Sequence, residues 1–194
     1  MFLSNKPFIL ASHSPRRREI LQMLGIPFEI YERKKHLEDS HCKEPENYVL
    51  EVAEKKAIEP RTVFKKGMVL TVDTIVYCGG EIINKPKDRQ DASAMIQKLQ
   101  GKTHQVYSGI CLLDCFRGIS RSAYEVTDVT FAPMSQDEID WYINSDEYVD
   151  KAGAYAAQGK ASLFISGING CFFNVVGLPV HTLFVLIKEL NSQR

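Results

Sequence analysis

The sequence predicts an α/β protein built on a long mixed β-sheet flanked by helices. Apolar runs of strand length alternate along the chain with amphipathic segments of helix length. Several neighbouring strands are joined by turns too short for a crossover, and such turns require antiparallel pairs in the same sheet. The 194 residues are predicted to form a single domain, 1–194, or two small lobes that share a core.

The first part of the chain contains two predicted strands and two predicted helices. The apolar residues 8–11 form the first strand, and Pro15 stands at the first position of the helix that follows. Residues 27–31 form a second strand, and the charged stretch 32–43 is interpreted as a loop. A second helix from about residue 45 carries an apolar face that consists of Tyr48, Val49, Val52 and Ala53.

The strongest strand prediction in the sequence covers residues 68–77, which are rich in Val, Ile and Thr. A third helix is predicted over residues 88–99. Two long strands, 104–115 and 119–132, follow and are joined as a hairpin. The centre of the chain therefore supplies the longest strands of the predicted sheet.

The C-terminal part combines a capped helix with a second hairpin. Ser135 and Glu138 have the spacing of a capping box, which satisfies the first N–H groups of a helix. Asn169-Gly170 is typical of a two-residue hairpin turn, because both residue types tolerate positive φ. Residues 163–168 and 171–176 are therefore both predicted as strands.

The composition excludes several classes of protein. With 24 basic and 24 acidic residues the formal net charge is zero, so the chain is not a nucleic-acid binder that works by bulk positive charge. Five cysteines without a CxxC or zinc-type spacing favour a reducing compartment. Neither a signal peptide nor an apolar segment of about 18 residues is found, and a cytoplasmic location without membrane contact is expected.

The first candidate site lies where the first strand passes into the first helix. Ser12 stands at the end of the strand, and the first turn of the helix carries Arg16 and Arg17. Helix N-termini attract anions through their N–H groups and dipole, and guanidinium groups bind phosphate oxygens. The segment indicates an anion-binding site, or alternatively a solvated first turn paired with Glu19 or another carboxylate.

The second candidate is Asp73, which lies in the middle of the apolar strand 68–77. An ionised carboxylate is costly to bury without a partner, and strands disfavour aspartate. Its charge must therefore be compensated by a metal ion, by a basic group or by exposure at a strand end. The apolar surroundings favour a functional carboxylate, whereas the alternative is a bulge or edge position that faces water.

Two lysines and a segment of small residues complete the set. Lys56 continues the apolar face of the second helix, so its ammonium points toward the interior or extends to solvent at the helix end. Lys85 follows a strand and either contacts a ligand or is a solvated loop residue. Residues 151–159, which include Gln158, allow a ligand to approach the backbone or form a plain loop. Together these residue types are the components of a metal-assisted polyphosphate site.

Seven sequence segments resemble, in order and spacing, the Maf family of nucleoside triphosphate pyrophosphatases. The segments are LASHSPRRREIL at 10–21, EKKA at 54–57, VDTIV at 72–76, NKP at 84–86, LQGKTHQVYSG at 99–109, DKAGAYAAQG at 150–159 and NVVGLP at 174–179. Any one of them is weak evidence, but the combination is highly specific. The resemblance implies two lobes with a cleft between them, similar to inosine triphosphate pyrophosphatases.

The resemblance also implies an activity, a cofactor and a set of site residues. The activity is the hydrolysis of a nucleoside triphosphate to the monophosphate and pyrophosphate with a divalent metal, Mg²⁺ or Mn²⁺. At the matching positions, residues at the first helix bind phosphate and Asp73 is the central acidic residue. Two lysines and one glutamine complete the site. The residues carried over are Ser12, Arg16, Arg17, Lys56, Asp73, Lys85 and Gln158.

The metal ligands and the mechanism follow from the same resemblance. The family carries an acidic pair after its second strand, and the nearest match here is Glu38-Asp39, so that either residue is an alternative partner of Asp73 on the metal. A metal-bound water is expected to attack the α-phosphorus while basic side chains neutralise the departing pyrophosphate.

Within the family the sequence is placed with the branch that prefers dTTP and UTP. Arg16-Arg17, Asp73-Thr74 and Ala154-Tyr155 with Gln158 match this branch, whereas the 7-methyl-GTP branch differs at each position. Thr74 is accordingly assigned to substrate binding. The alternatives are a non-catalytic nucleotide-binding regulator of cell division and a pyrophosphatase of modified nucleotides. The expected partner is a small nucleotide rather than a nucleic acid, and a homodimer and a monomer both remain open.

Overall fold

The computed structural model describes residues 7–33 and 40–192. Its strands are β1 (Phe8–Leu10), β2 (Phe28–Ile30), β3 (Met68–Cys78), β4 (Glu81–Ile83), β5 (Thr103–Asp114), β6 (Ile119–Phe131) and β7 (Ile165–Asn169). Its α-helices are α1 (Pro15–Met23), α2 (Pro45–Val63), α3 (Arg89–Leu99), α4 (Gln136–Ile143), α5 (Phe172–Val176) and α6 (Val180–Ser192). Short 3₁₀ helices cover Ala152–Ala154 and Lys160–Leu163. In the part of the chain so described, no helix combines the length and the apolar character needed to cross a membrane.

The seven strands form one mixed sheet, which confirms the predicted fold class. The strand order is β2-β1-β3-β5-β6-β7, and β4 pairs with β3. Strand β1 is parallel to both β2 and β3, whereas the β3–β4 and β6–β7 pairs are antiparallel. Strands β3 and β4 are joined by a short turn, as expected for a hairpin, whereas residues 132–164 separate β6 from β7 along the chain.

The chain divides into two compact units. The first contains the residues up to Asp73 together with Ser108–Glu125 and the chain from Gly177 onward. The second contains Thr74–Tyr107 and Val126–Val176. The single-domain boundary of 1–194 and the cleft implied by the family resemblance stay predictions.

The strand order of the first unit reverses at β1. The chain passes from β1 to β2 on one side and then returns to β3 on the other, with Leu10 in register with both Ile30 and Leu70. Because parallel crossovers are right-handed, this reversal sends α1 and α2 to opposite faces of the sheet. Ligands of open α/β sheets bind beyond the carboxyl ends of the strands at such a reversal. The topology therefore favours a ligand site at the residues that follow β1 and at those of β3 just beyond its pairing with β1.

Helix α2 packs closely against the sheet of the first unit. Its buried stripe includes Val49, Val52, Ala53 and Lys56, which confirms the inward face predicted from the sequence. A Cβ atom built on Gly109 of β5 would lie 2.2 Å from the carbonyl oxygen of Val49. Only glycine permits this approach, because the neighbouring atom is main chain and cannot move aside without displacing the helix.

Replacement of Gly109 by alanine is therefore expected to lower the free energy of unfolding by about 3 kcal/mol, the upper range for overpacking. Urea-induced unfolding followed by circular dichroism measures this loss. The matched control is Gly167→Ala on β7, where the nearest atom, Cβ of Thr130, is 3.9 Å from the added Cβ. Equal stability of the two variants would contradict the close packing of α2.

One predicted strand is wrong. Residues 171–176 were expected to pair with 163–168, but Phe172–Val176 forms α5, and β7 instead pairs with β6. The amide of Asn174 donates to the carbonyl of Val106 and to the hydroxyl of Thr127, 2.9 and 3.0 Å away. A short apolar run carries no period that separates strand from helix, and these long-range contacts decide its conformation.

A buried aromatic cluster occupies the core of the second unit. Nε2 of His104 is 2.8 Å from the hydroxyl of Tyr155, and the two rings make edge contacts with each other and with Phe131. Burial lowers the pKa of His104 from 6.5 to about 4. His104 is therefore neutral in the folded protein near neutral pH, and its protonation requires an unfavourable buried charge.

The stability of the protein is expected to fall in acid because of His104. The unfolded chain binds the imidazole proton below the ordinary pKa of 6.5, whereas the folded chain binds it only below about 4. The stabilisation is thus complete above pH 6.5 and is lost progressively as the pH falls to about 4. Between about pH 7.5 and about pH 5 this linkage amounts to about 2 kcal/mol.

Urea titrations of the wild type and of His104→Gln at both pH values isolate this contribution. The variant lacks the titrating group, so its loss of stability between the two pH values should be smaller by about 2 kcal/mol. Identical pH dependence of the two proteins would show that His104 is not held neutral by burial.

Candidate active site

The segment that links β1 to α1 holds Arg17 in a defined position. The hydroxyl of Ser12 accepts hydrogen bonds from the Ser14 amide, 3.3 Å away, and from Nη1 of Arg17, 2.9 Å away. Nη1 of Arg17 also donates to the carbonyl of Val72 at 3.1 Å, and its Nε donates to the carbonyl of Gly177 at 2.8 Å. These contacts direct the guanidinium toward the middle of β3, and three protein oxygens hold it there.

The neighbouring Arg16 is half-buried on the same helical turn. The first turn of α1 contains no acidic residue, and Ser14 precedes it in an extended conformation without a side-chain cap. The positive end of the helix is therefore not neutralised from within its own first turn. This arrangement favours an external anion near Arg16.

Lys56 and Asp73 form a buried ion pair. Nζ of Lys56 donates to Oδ1 of Asp73 at 2.7 Å, and the two residues are 6% and 8% exposed. The ammonium points toward the interior, so the alternative of snorkelling to solvent is wrong. The charge of Asp73 is compensated by a basic group, one of the three solutions expected from the sequence.

Hydrogen bonds between α2 and β3 hold the Lys56–Asp73 pair in position. One helical turn before Lys56, the carbonyl of Ala53 accepts a 2.6 Å hydrogen bond from the buried hydroxyl of Thr71. Thr71 and Asp73 stand two residues apart on β3 and so point to the same face of the strand. The carbonyl of Val72 accepts from Lys56 at 3.4 Å as well as from Arg17. Helices α1 and α2 thus bring one cation each to a single main-chain carbonyl.

The electrostatic environment of Lys56 is strongly positive. Burial is the main cause that lowers the pKa of its ammonium, while Asp73 raises it and the guanidinium groups of Arg17 and Arg33 lower it further. These four side chains comprise three cations and one carboxylate. Excess positive charge in a poorly solvated region attracts anions, and phosphates above all.

The remaining predicted residues lie in the second unit. Nζ of Lys85 is 4.0 Å from Oδ1 of Asp150, and both side chains are exposed. The amide of Gly153 donates to the carbonyl of Asn84, directly before Lys85, at 3.1 Å. The segment of small residues therefore contacts the residue directly before Lys85.

Two further residues of this unit are also candidates for substrate contact. Gln158 is exposed, and Thr74 is half-buried on β3 directly after Asp73. Because successive residues of a strand point to opposite faces, Thr74 does not share the face of Asp73. The substrate-contact roles of Thr74, Lys85 and Gln158 stay predictions.

The structure brings together four of the predicted residues in the first unit: Ser12, Arg17, Lys56 and Asp73. The alternative metal ligands Glu38 and Asp39 lie outside the described residues. Sequence reasoning did not identify the carbonyls of Val72 and Gly177, which carry no side-chain signal. It also did not identify Arg33, which stands in a charged segment without periodicity.

The donor set of the described site is compatible with one divalent cation of the magnesium type. No group of three or more histidine, cysteine or acidic residues forms a metal site in the described ranges 7–33 and 40–192. Mg²⁺ in nucleotide enzymes is commonly held by one or two carboxylates together with substrate phosphates and water. Asp73 can supply such a carboxylate, so the residues fit a metal that arrives with a polyphosphate.

The fold and these residues define an α/β protein with a cluster of cations around one buried carboxylate, just beyond the parallel pairing of β1 with β3. Comparison with known families matches residues 7–190 to the profile described as Maf-like protein. The chain belongs to this family.

Several curated relatives are similar over nearly their full length. A dTTP/UTP pyrophosphatase of Ruminiclostridium cellulolyticum is 40% identical over 190 residues, which cover 95% of this chain and 96% of the relative. Proteins of the same name from Caldanaerobacter subterraneus and Pyrococcus abyssi are 45% and 41% identical. The first of these two matches covers 93% of this chain and 87% of the relative, and the second covers 93% and 94%.

Proposed function

We propose that this protein hydrolyses dTTP and UTP to the corresponding monophosphate and pyrophosphate, in the housekeeping of nucleotide pools. The observation that carries the proposal is the cluster of Arg17, Lys56 and Asp73 beyond the carboxyl end of β1, beside the middle of β3. A cationic site with one buried carboxylate suits a triphosphate and an attacking water. The relatives named dTTP/UTP pyrophosphatase support both the release of pyrophosphate and the preference for thymine and uracil nucleotides.

The cationic residues bind and orient the phosphates in this proposal. Arg17 is positioned by three protein oxygens and needs little reorganisation when it meets an anion, which makes its charge effective. Arg16 neutralises charge at the N-terminus of α1. Lys85 neutralises the departing pyrophosphate, and Gln158 contacts the phosphates.

Asp73 and Lys56 act at the reacting phosphorus. Asp73 orients a water and accepts its proton as the water oxygen forms a bond to the α-phosphorus. The bond from this phosphorus to the bridging oxygen breaks, and pyrophosphate leaves with the bonding electrons. Lys56 stabilises the charge on the reacting phosphate and holds the carboxylate of Asp73 in place through their 2.7 Å contact.

The proposed cofactor is Mg²⁺ or Mn²⁺. Asp73, with Glu38 or Asp39, would hold it together with phosphate oxygens of the substrate. When bound, the metal neutralises phosphate charge and lowers the pKa of coordinated water.

Hydrolysis in ¹⁸O-labelled water tests the reaction and the bond together. The purified protein is incubated with dTTP, UTP, dCTP, GTP and 7-methyl-GTP in the presence of Mg²⁺ or Mn²⁺, and both pyrophosphate and orthophosphate are measured. Attack at the α-phosphorus places the label in the monophosphate, whereas attack at the β-phosphorus places it in pyrophosphate. The expected result is labelled dTMP and UMP with unlabelled pyrophosphate.

Other outcomes would change the assignment in defined ways. Release of orthophosphate would show that the wrong bond was assigned. Turnover confined to 7-methyl-GTP would replace the proposed base preference with a modified nucleotide. Nucleotide binding without turnover, with either metal, would favour the alternative of a non-catalytic nucleotide-binding regulator.

A further inference from the structure

Arg33 is a buried cation that follows the edge strand β2. Its relative exposure is 7%, close to the values for Lys56 and Asp73. Arginine is among the residues least often buried, because removal of its charge from water is costly. A buried arginine at the end of a strand therefore requires a specific role.

The register of the parallel strands places Arg33 at the edge of the sheet that carries the candidate site. Leu10 of β1 is opposite Ile30 of β2 and Leu70 of β3, and the Tyr31 amide extends the pairing to the carbonyl of Leu10 at 2.9 Å. Arg33 and Asp73 each lie three residues beyond these partners. Counted along the parallel strands they therefore stand at the same level, just beyond the pairing of β1 with its two neighbours, although β3 itself continues to Cys78.

The charge of Arg33 acts on the buried ion pair of the first unit. Repulsion from Arg33, like that from Arg17, lowers the pKa of Lys56. The charge of Arg33 thus acts on the ammonium through a poorly solvated region. Helices α1 and α2 and the segment after β2 each contribute one cation to the electrostatic environment of the ion pair.

We propose that Arg33 binds the triphosphate of the substrate together with Arg17 and Lys56. The inference deepens the proposed function and rests on it, since it concerns the same site. Its physical basis is the guanidinium fork, which pairs with two phosphate oxygens and brings a positive charge that is already desolvated. Arg33 is therefore a substrate-binding residue rather than a solvated loop arginine.

Isothermal titration calorimetry with inorganic tripolyphosphate tests this role without requiring turnover. We expect Arg33→Gln to raise the dissociation constant about 10- to 100-fold, the range for the loss of a charge-assisted hydrogen-bonded contact. Arg33→Lys should give an intermediate value, because it retains the charge but loses the fork. The matched control is Arg61→Gln, which removes an exposed arginine from the last turn of α2 and should leave the affinity unchanged.

The outcomes separate this inference from the proposed function. A dissociation constant for Arg33→Gln within twofold of the wild-type value would overturn the role of Arg33. Should Arg33→Gln lack a cooperative thermal transition, Arg33→Lys decides, and an unchanged affinity in that variant overturns the role equally. Failure of the wild type to release pyrophosphate from any triphosphate would contradict the proposed function, while the tripolyphosphate titration would still decide whether Arg33 binds phosphates.

Discussion

Asp73→Asn is expected to lower kcat/KM for dTTP by about 10²- to 10⁴-fold, the range for loss of a general base. Asparagine keeps the size of the side chain but can neither accept a proton nor carry the negative charge that attracts a divalent metal. The loss should appear mainly in kcat, because Arg16 and Arg17 still bind the phosphates. Steady-state pyrophosphate release with Mg²⁺ and with Mn²⁺ measures the effect.

A matched control separates catalysis from charge and folding. Asp140→Asn removes an exposed carboxylate from α4 and should leave kcat/KM unchanged. Thermal unfolding and circular dichroism establish that both variants are folded. Near-normal pyrophosphate release by a folded Asp73→Asn variant would remove Asp73 from the catalytic machinery.

Lys56→Met is expected to reduce both stability and activity. Removal of the ammonium leaves the carboxylate of Asp73 buried without the partner that lies 2.7 Å away. Loss of one member of a buried pair costs about 3–5 kcal/mol, because the remaining charge is uncompensated. Methionine fills a similar volume, so the destabilisation measured by urea unfolding reports charge rather than a cavity. We expect kcat/KM to fall at least about 100-fold, through loss of charge stabilisation at the reacting phosphate.

The double variant Lys56→Met/Asp73→Asn distinguishes the two effects. Replacement of both charges by neutral groups removes the uncompensated carboxylate, so most of the lost stability should return. Activity should not return, because both functional groups are absent. A double variant as unstable as Lys56→Met would show that Asp73 is not the charge left unpaired, and recovery of activity would exclude Lys56 and Asp73 from catalysis.

The sequence predicted much of the fold because many of its signals are local. Pro15, whose fixed φ suits the first position of a helix, begins α1. Ser135 and Glu138 form the capping box of α4. The run of β-branched residues that became β3 was identified within one residue of its observed end. By contrast, the predicted strand 171–176 is replaced by helix α5, in which the side chain of Asn174 donates to acceptors on the distant strands β5 and β6.

Part of the candidate site was predictable, because charged residues in otherwise apolar segments are unusual. Asp73 is a carboxylate within an apolar strand, and Lys56 is a cation on an apolar helical face, so both were predicted as candidate site residues. Either lysine orientation was compatible with the helical pattern. Tertiary packing selected the inward one, because the pair satisfies two buried charges at once.

By itself, the sequence determined that this protein is an α/β member of its family with a neutral overall charge and a set of phosphate-binding residue types. Periodicity, caps and motif order depend on neighbours along the chain, so they can be read without coordinates. The tertiary structure alone decided that Asp73 is compensated by Lys56, that the Val72 carbonyl receives two cations, and that Arg33 is buried. Those features depend on strand order and register, which join residues distant in sequence at one edge of the sheet.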